Sequence, residues 1–86
     1  MGKMAAELRR KLAAHPSSRF DLILHVDGSM GDIRAQLDSM GVDVRRSFRL
    51  THTVSVRCTG RKALALARKP WVTRIEADRR VRAFGR

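Results

Sequence analysis

Apolar and polar residues alternate in four segments of the chain, and this period of two is typical of strands that bury one face. Two further segments carry apolar residues three or four positions apart, which is the spacing of an amphipathic helix. Along the chain, the pattern predicts strand, helix, strand, strand, helix, strand. The predicted strands are residues 20–26, 42–50, 53–59 and 71–77.

Residues at the predicted helix ends support this reading. Ser29 followed by Asp32 resembles a capping box, and Gly41 stands where helices commonly end on glycine. The second helix is predicted to begin at Thr59 or the next residue. It should stop before Pro70, whose ring cannot continue a helix.

This order predicts an α+β domain of the ferredoxin-like βαββαβ type, a four-stranded antiparallel sheet with two helices on one face. The other face would be free of helices and net basic. The predicted core residues are Leu22, Leu24, Val26, Ile33, Leu37, Phe48, Val54, Val56, Leu64 and Ile75. The predicted helix-free face consists of Asp21, Ile23, His25, Asp43, Arg45, Ser47, Arg49, Ser55, Arg57, Arg74 and Glu76.

A chain of 86 residues is long enough for one domain with a modest core. We assign residues 20–78 to the ferredoxin-like domain and residues 79–86 to an extended basic C-terminal tail. Residues 1–19 are assigned to a short N-terminal helix or basic tail and a linker outside the domain. The reason is that residues 4–14 give only a narrow apolar stripe before Pro16 interrupts the pattern.

Charge is the strongest signal of the composition, since 19 Lys and Arg face eight Asp and Glu, a formal net charge of +11. Such an excess indicates an acidic partner, which could be nucleic acid, an anionic membrane or an acidic protein surface. A basic composition that serves solubility alone is the alternative. No apolar run is long enough for a signal peptide or a membrane span, so we expect a cytoplasmic protein without membrane contact.

The sequence lacks the residue combinations of common catalytic sites. His15, His25 and His52 do not have metal-ligand spacing, and no Gly-x-Ser-x-Gly elbow is present. Residues 28–31 match no nucleotide-binding fingerprint and are interpreted as a turn and helix cap. Cys58 alternates with apolar strand residues and is expected to be a small buried side chain. We therefore expect no enzymatic activity, no metal, no cofactor and no small-molecule substrate.

The last third of the chain carries a motif. A short Ala/Leu-rich helix and a proline precede the string Val72-x-x-Ile75-Glu76-x-Asp78-x-x-Val81. This string resembles the signature that ends the prosegments of subtilisin-like serine proteases, which form family nine of the peptidase inhibitors. The resemblance extends over roughly residues 20–84. That family has the same βαββαβ fold.

The resemblance implies a mode of action. Family members bind the mature protease through the helix-free face, place acidic groups at helix N-termini of the enzyme and lay the C-terminal tail in its cleft. They act as inhibitors and folding chaperones. By this resemblance, Glu76 and Asp78 are acidic contacts, Val81 enters a distal apolar pocket, and Phe84 enters the primary specificity pocket, or Arg86 if the chain ends there. Further partner contacts, which favour an acidic surface, are Arg45, Arg49, Arg57 and Arg74.

The alternative is a basic nucleic-acid- or ribosome-binding domain that uses Arg–phosphate contacts. RNA-recognition domains of the same plan stack bases on aromatic residues of the helix-free face. Phe20 and Phe48 alternate with the core residues here, so base stacking is not expected. A third possibility is an adaptor module that adds its tail to some other protein.

Overall fold

The computed structural model describes residues 3–78. These residues form α1 (Ala6–Ala14), β1 (Arg19–Val26), α2 (Met30–Ser39), β2 (Asp43–Phe48), β3 (Thr53–Thr59), α3 (Gly60–Leu66) and β4 (Val72–Ala77). The strands make one sheet in the order β2-β3-β1-β4, and each neighbouring pair is antiparallel. The predicted α+β class with a four-stranded antiparallel sheet is therefore confirmed.

Local hydrogen bonds explain where α2 and α3 begin and where α2 ends. Ser29 Oγ accepts the backbone N–H three residues ahead at 3.5 Å, and Thr59 Oγ1 does the same at 3.3 Å. Gly41 adopts a φ of 75°, which lets the Val42 N–H donate to the Leu37 carbonyl at 3.0 Å. This is the Schellman arrangement that satisfies the last carbonyls of a helix. The predicted caps and the glycine stop are confirmed.

One buried cluster joins side chains from all three helices with side chains from the strands. On α3, Ala63 and Leu66 are fully buried three positions apart, and Leu64 beside them is only half-buried. The prediction of Leu64 as a core residue is corrected accordingly, because Ala63 and Leu66 form the buried side of this helix. The predicted core residues that are buried are Leu22, Leu24, Val26, Ile33, Leu37, Val54, Val56 and Ile75.

Helix α1 contributes to the same core and is therefore part of the domain. Leu12 is completely buried in the cluster, and α1 packs against α3. The contact is close at Gly60, where a Cβ atom would lie 2.5 Å from the Leu12 carbonyl oxygen. The Gly60 N–H also donates to the Ser18 carbonyl at 3.0 Å. The assignment of the N-terminal helix to a region outside the domain is thus corrected for the residues described.

Strand β2 contains a β-bulge that changes which of its residues face the helices. Val44 pairs with Val56, but the next pair joins Arg46 to Ser55, so Arg45 is an extra residue without a direct partner. Because side chains alternate along a strand, one inserted residue moves every later side chain to the opposite face.

The bulge overturns the predicted positions of the residues that follow it. Phe48 pairs with Thr53 on the helix-free face and does not belong to the core. Ser47 pairs with Val54 on the helix-packed side, and Arg49 lines the same small depression beside α2. The helix-free face, which is the side of the sheet opposite Leu22, Leu24 and Val56, therefore consists of Arg19, Asp21, Ile23, His25, Asp43, Arg46, Phe48, Thr53, Ser55, Arg57, Thr59, Arg74 and Glu76.

Candidate functional site

Rows of side chains cross the helix-free face, because directly paired residues of neighbouring strands point to the same side. The predicted contacts Arg57, Arg74 and Glu76 lie together on this surface. Across the sheet from β2 towards β4, the rows are Asp43, Arg57, Asp21; then Arg46, Ser55, Ile23, Glu76; then Phe48, Thr53, His25, Arg74.

Arg57 is held by carboxylates on both neighbouring strands. Its Nε donates to Asp21 Oδ1 at 2.9 Å and its Nη2 donates to Asp21 Oδ2 at 3.3 Å, a bidentate pair. The hydrogen bond to Asp21 raises the pKa of Arg57, and the charges of Asp21 and Asp43 raise it further. A phosphate would have to displace a partner already in place, so Arg57 is poorly suited to binding a polyanion.

Glu76 is the acidic group of β4 that reaches solvent from the helix-free face. Arg74 Nε lies 2.9 Å from its Oε2, and His25 Nε2 lies 3.6 Å from its Oε1. The Glu76 side chain is 43 % exposed, so Arg74 orients the carboxylate and solvent still reaches it. An oriented, accessible carboxylate can accept hydrogen bonds from N–H groups of another protein.

Asp78, which directly follows β4, is held against the sheet. Its N–H donates to the Asp21 carbonyl at 2.9 Å, and Ser55 Oγ donates to its Oδ2 at 3.3 Å. Only 8 % of the residue is exposed. Asp78 thus ties the end of the edge strand to the centre of the helix-free face, and its role as a partner contact stays a prediction.

Two of the predicted arginines lie elsewhere, and this changes the charge of the helix-free face. Arg45 is the bulge residue, where it lies 3.6 Å from Asp43, and Arg49 lies on the side of α2. The face carries four arginines, three carboxylates of the strands and the Asp78 carboxylate bonded to Ser55. With Asp78 included, the formal charges sum to zero, so the expected net basic character is not observed. The groups that balance are Arg19, Arg46, Arg57 and Arg74 against Asp21, Asp43, Glu76 and Asp78.

Arg46 and Phe48 are members of this face that sequence patterning missed. The apolar alternation of residues 42–50 is interrupted at Arg46, and this break is the signal in the sequence that marks the bulge. Phe48 is half-buried and exposes part of its ring beside Thr53. One partly exposed aromatic side chain adds an apolar contact point to an otherwise polar surface.

An open groove of about 690 Å³ runs along the outer edge of β4. Leu8 and Lys11 of α1 form one wall, and Ile75 and Glu76 of β4 form the other. The Ile75 N–H points outward from this edge of the sheet and donates to the Lys3 carbonyl at 2.8 Å. The groove adjoins Glu76, so a partner bound to the helix-free face could extend into it.

Metal-ligating side chains are not clustered within residues 3–78. No three His, Cys, Asp or Glu side chains there are grouped for a metal ion. Burial raises the pKa of the Cys58 thiol to about 11, so this thiol stays protonated near neutral pH. None of the helices in this part of the chain is long and apolar enough to cross a membrane.

The predicted tail contacts Val81, Phe84 and Arg86 lie outside the described residues. Comparisons with protein-family models, with curated proteins and with solved structures find no match to this chain.

Proposed function

We propose that this chain is a prosegment-like protein-binding module that inhibits a subtilisin-like serine protease or assists its folding. It would bind the enzyme through the helix-free face and the C-terminal segment 79–86, without catalysis of its own. The observation that carries the proposal is the placement of Glu76. The motif strand β4 lies at the sheet edge with this carboxylate oriented and exposed on the helix-free face.

The physical reason lies in what such a carboxylate can recognise. The first N–H groups of a helix lack partners and carry partial positive charge, so a carboxylate presented on a rigid sheet can cap them. Arg74 orients Glu76 through a 2.9 Å contact, which reduces the entropy lost on binding. Asp78 anchors the point from which the C-terminal segment continues.

The fold supports the same proposal. We infer the ferredoxin-like plan, because the strand order β2-β3-β1-β4 read from the other edge is 4-1-3-2. In addition, β1 connects through α2 to β2, and β3 connects through α3 to β4. This is the plan that the prosegment resemblance implies.

The charge of the helix-free face also favours a protein partner over a polyanion. Its arginines and carboxylates balance, and two of the arginines, Arg57 and Arg74, are paired within the face at 2.9 Å. A balanced polar surface with a partly exposed aromatic residue is close to the composition of transient protein interfaces. Binding of nucleic acid through Arg–phosphate contacts on this face is disfavoured for the same reason.

Inhibition of a purified subtilisin-like protease by the full chain tests the proposal. We expect slow-dissociating inhibition, and deletion of residues 81–86 should weaken it more than tenfold, which is about 1.4 kcal/mol. Phe84→Asp should have a similar effect because it would place a charge in an apolar pocket. Leu50→Asp is the matched control, since Leu50 is 98 % exposed in the β2–β3 turn.

Circular dichroism should show that each variant keeps its fold. Equal, weak inhibition by the full chain, the deletion and both substitutions would remove the C-terminal segment from the mechanism and the proposal with it.

A further inference from the structure

The positive charge of the described residues is concentrated in two stretches, 3–15 and 60–69, which contain α1 and α3. These stretches carry eight Lys and Arg and one carboxylate, a formal charge of +7. The remaining described residues, 16–59 and 70–78, carry seven Lys and Arg and seven carboxylates, which sum to zero. The net charge of residues 3–78 therefore comes entirely from the part of the chain around these two helices.

The two helices form one surface, because α1 packs directly against α3. Linker residues strengthen the contact, since the Arg61 N–H donates to the Pro16 carbonyl at 3.1 Å. We name the solvent-facing side of α1 and α3 the helix-pair surface. Its exposed cations are Arg9 and Arg10 of α1, Arg61 of α3 and Arg68 just after α3, whereas Lys11 lines the groove beside β4.

The cations of the helix-pair surface form no ion pairs within residues 3–78, unlike Arg57 and Arg74 of the sheet. The four ion pairs among residues 3–78 involve His25, Arg45, Arg57 and Arg74, and none involves α1 or α3. Lys62 Nζ, at the edge of the surface, donates only to the uncharged Gly41 carbonyl, at 3.2 Å. The exposed positive charge is thus free to attract an external anion.

We propose that the helix-pair surface binds the phosphate backbone of nucleic acid, without reading the base sequence. Three of the exposed arginines, Arg9, Arg10 and Arg61, lie on two helices in contact, so several guanidinium forks can meet successive phosphates. Counterion release from the nucleic acid would provide most of the affinity.

The surface chemistry favours nucleic acid over a lipid membrane. A helix that lies in a membrane interface needs large apolar side chains to insert, in addition to cations. On α1, Leu12 is buried and Leu8 is half-buried against the core. The fully exposed large apolar residue of the described chain is Leu50, in the β2–β3 turn. The helix-pair surface also presents no aromatic residue of α1 or α3 for base stacking, which is why we expect backbone contacts alone.

The inference does not rest on the proposed protease inhibition. It uses residues that are not among the proposed protease contacts, and it is measured without any protease. Failure of one proposal therefore leaves the other open.

Fluorescence anisotropy with a labelled 20-base-pair duplex of random sequence tests the inference. The full chain should bind at 50 mM salt and release the duplex as salt is raised to 200 mM. The variant Arg9→Gln, Arg10→Gln, Arg61→Gln, Arg68→Gln should bind at least tenfold more weakly at 50 mM salt. Its slope of log affinity against log salt should be shallower by about 3 to 4, since each lost phosphate contact removes about 0.9.

Matched variants distinguish binding by the helix-pair surface from a general effect of the net charge. Replacing Arg79, Arg80, Arg82 and Arg86 by Gln also removes four cations and also lowers the formal charge from +11 to +7. This tail variant should keep its affinity within about threefold, as should a variant with Lys at the four helix positions. Circular dichroism checks that each variant is folded.

Several results would overturn the inference. The first is that the full chain does not bind the duplex at 50 mM salt. The second is that the tail variant loses as much affinity for the duplex as the helix variant, or more. The third is that the full chain binds phosphatidylserine vesicles or polyglutamate more tightly than the duplex.

Discussion

The position of Cys58 in strand β3 determines how far the thiol is buried. It pairs with Phe20 across β1 and β3, and only 5 % of it is exposed. Removal from water disfavours the thiolate and raises the pKa to about 11, although nearby Lys62 lowers it slightly. The alternation of residues 53–59 was sufficient to predict this buried position.

The raised pKa of Cys58 predicts a loss of stability at alkaline pH. Below about pH 8.5 the thiol is protonated in both the folded and the unfolded chain. As the pH rises towards 11, the unfolded chain releases the proton and the folded chain does not, so the free energy of unfolding falls. Urea titrations at pH 8 and pH 10 should show a steeper loss for the wild-type chain than for Cys58→Ala. Equal losses in the two proteins would contradict the assigned burial of the thiol.

Among the secondary-structure elements, the contact between α1 and α3 depends on a glycine. A Cβ atom at Gly60 would lie 2.5 Å from the Leu12 carbonyl oxygen and 2.8 Å from the His15 carbonyl oxygen, both parts of the backbone. Neither oxygen can move aside by a side-chain rotation. Any larger residue at position 60 must therefore displace the end of α1.

Gly60→Ala should destabilise the protein by about 1–3 kcal/mol, the usual cost of overpacking. Gly31→Ala is the matched control, because it also lies near the start of a helix and its new Cβ would come no closer than 3.9 Å to Ser29 Oγ. There, alanine should be neutral or stabilise the helix by up to about 1 kcal/mol. Thermal unfolding of both variants measures the difference. Two equal shifts would mean that the α1–α3 contact is looser than described.

The order of the elements was predictable from the sequence. The alternation in the strands, the helical spacing and the residues at the helix ends indicate the same boundaries at most positions. Ser29, Gly41 and Thr59 each act locally, so their effects are visible without tertiary structure. The bulge at Arg45 was not predicted, because it depends on pairing with β3, and it carried Phe48 to the other face. The burial of Leu12 was missed for the same reason, since its neighbour α3 is distant in sequence.

For the whole molecule, the sequence provides the sum of the charges but not their distribution. The strand alternation predicted a helix-free face that is mixed but net basic. Pairing across the strands, with Asp78 included, shows instead that carboxylates balance the arginines of that face, while no ion pair within residues 3–78 involves the helix-pair surface. Glu76, Arg57 and Arg74 were correctly assigned to the helix-free face, because their strands have no irregularity between them and the centre of the sheet.

This distribution predicts that a protease and a nucleic acid can bind to one molecule at the same time. The proposed protease contacts lie on the helix-free face, and Arg9, Arg10, Arg61 and Arg68 do not line the groove beside β4, so neither ligand should cover the other's site. With a labelled duplex already bound at 50 mM salt, addition of a catalytically inactive subtilisin-like protease should raise the anisotropy further. Deletion of residues 81–86 should abolish this second rise and leave the first.

The salt dependence of duplex binding and protease inhibition should also differ, because the net charge of residues 3–78 comes from the stretches 3–15 and 60–69, which contain α1 and α3. Raising the salt to 200 mM should release the duplex, while inhibition by the same sample changes little. The helix variant lacking Arg9, Arg10, Arg61 and Arg68 should still inhibit the protease with unchanged affinity. Displacement of the duplex by the inactive protease, one molecule for one, would instead mean that both ligands use the same surface, and the separation of charge would then have no functional role.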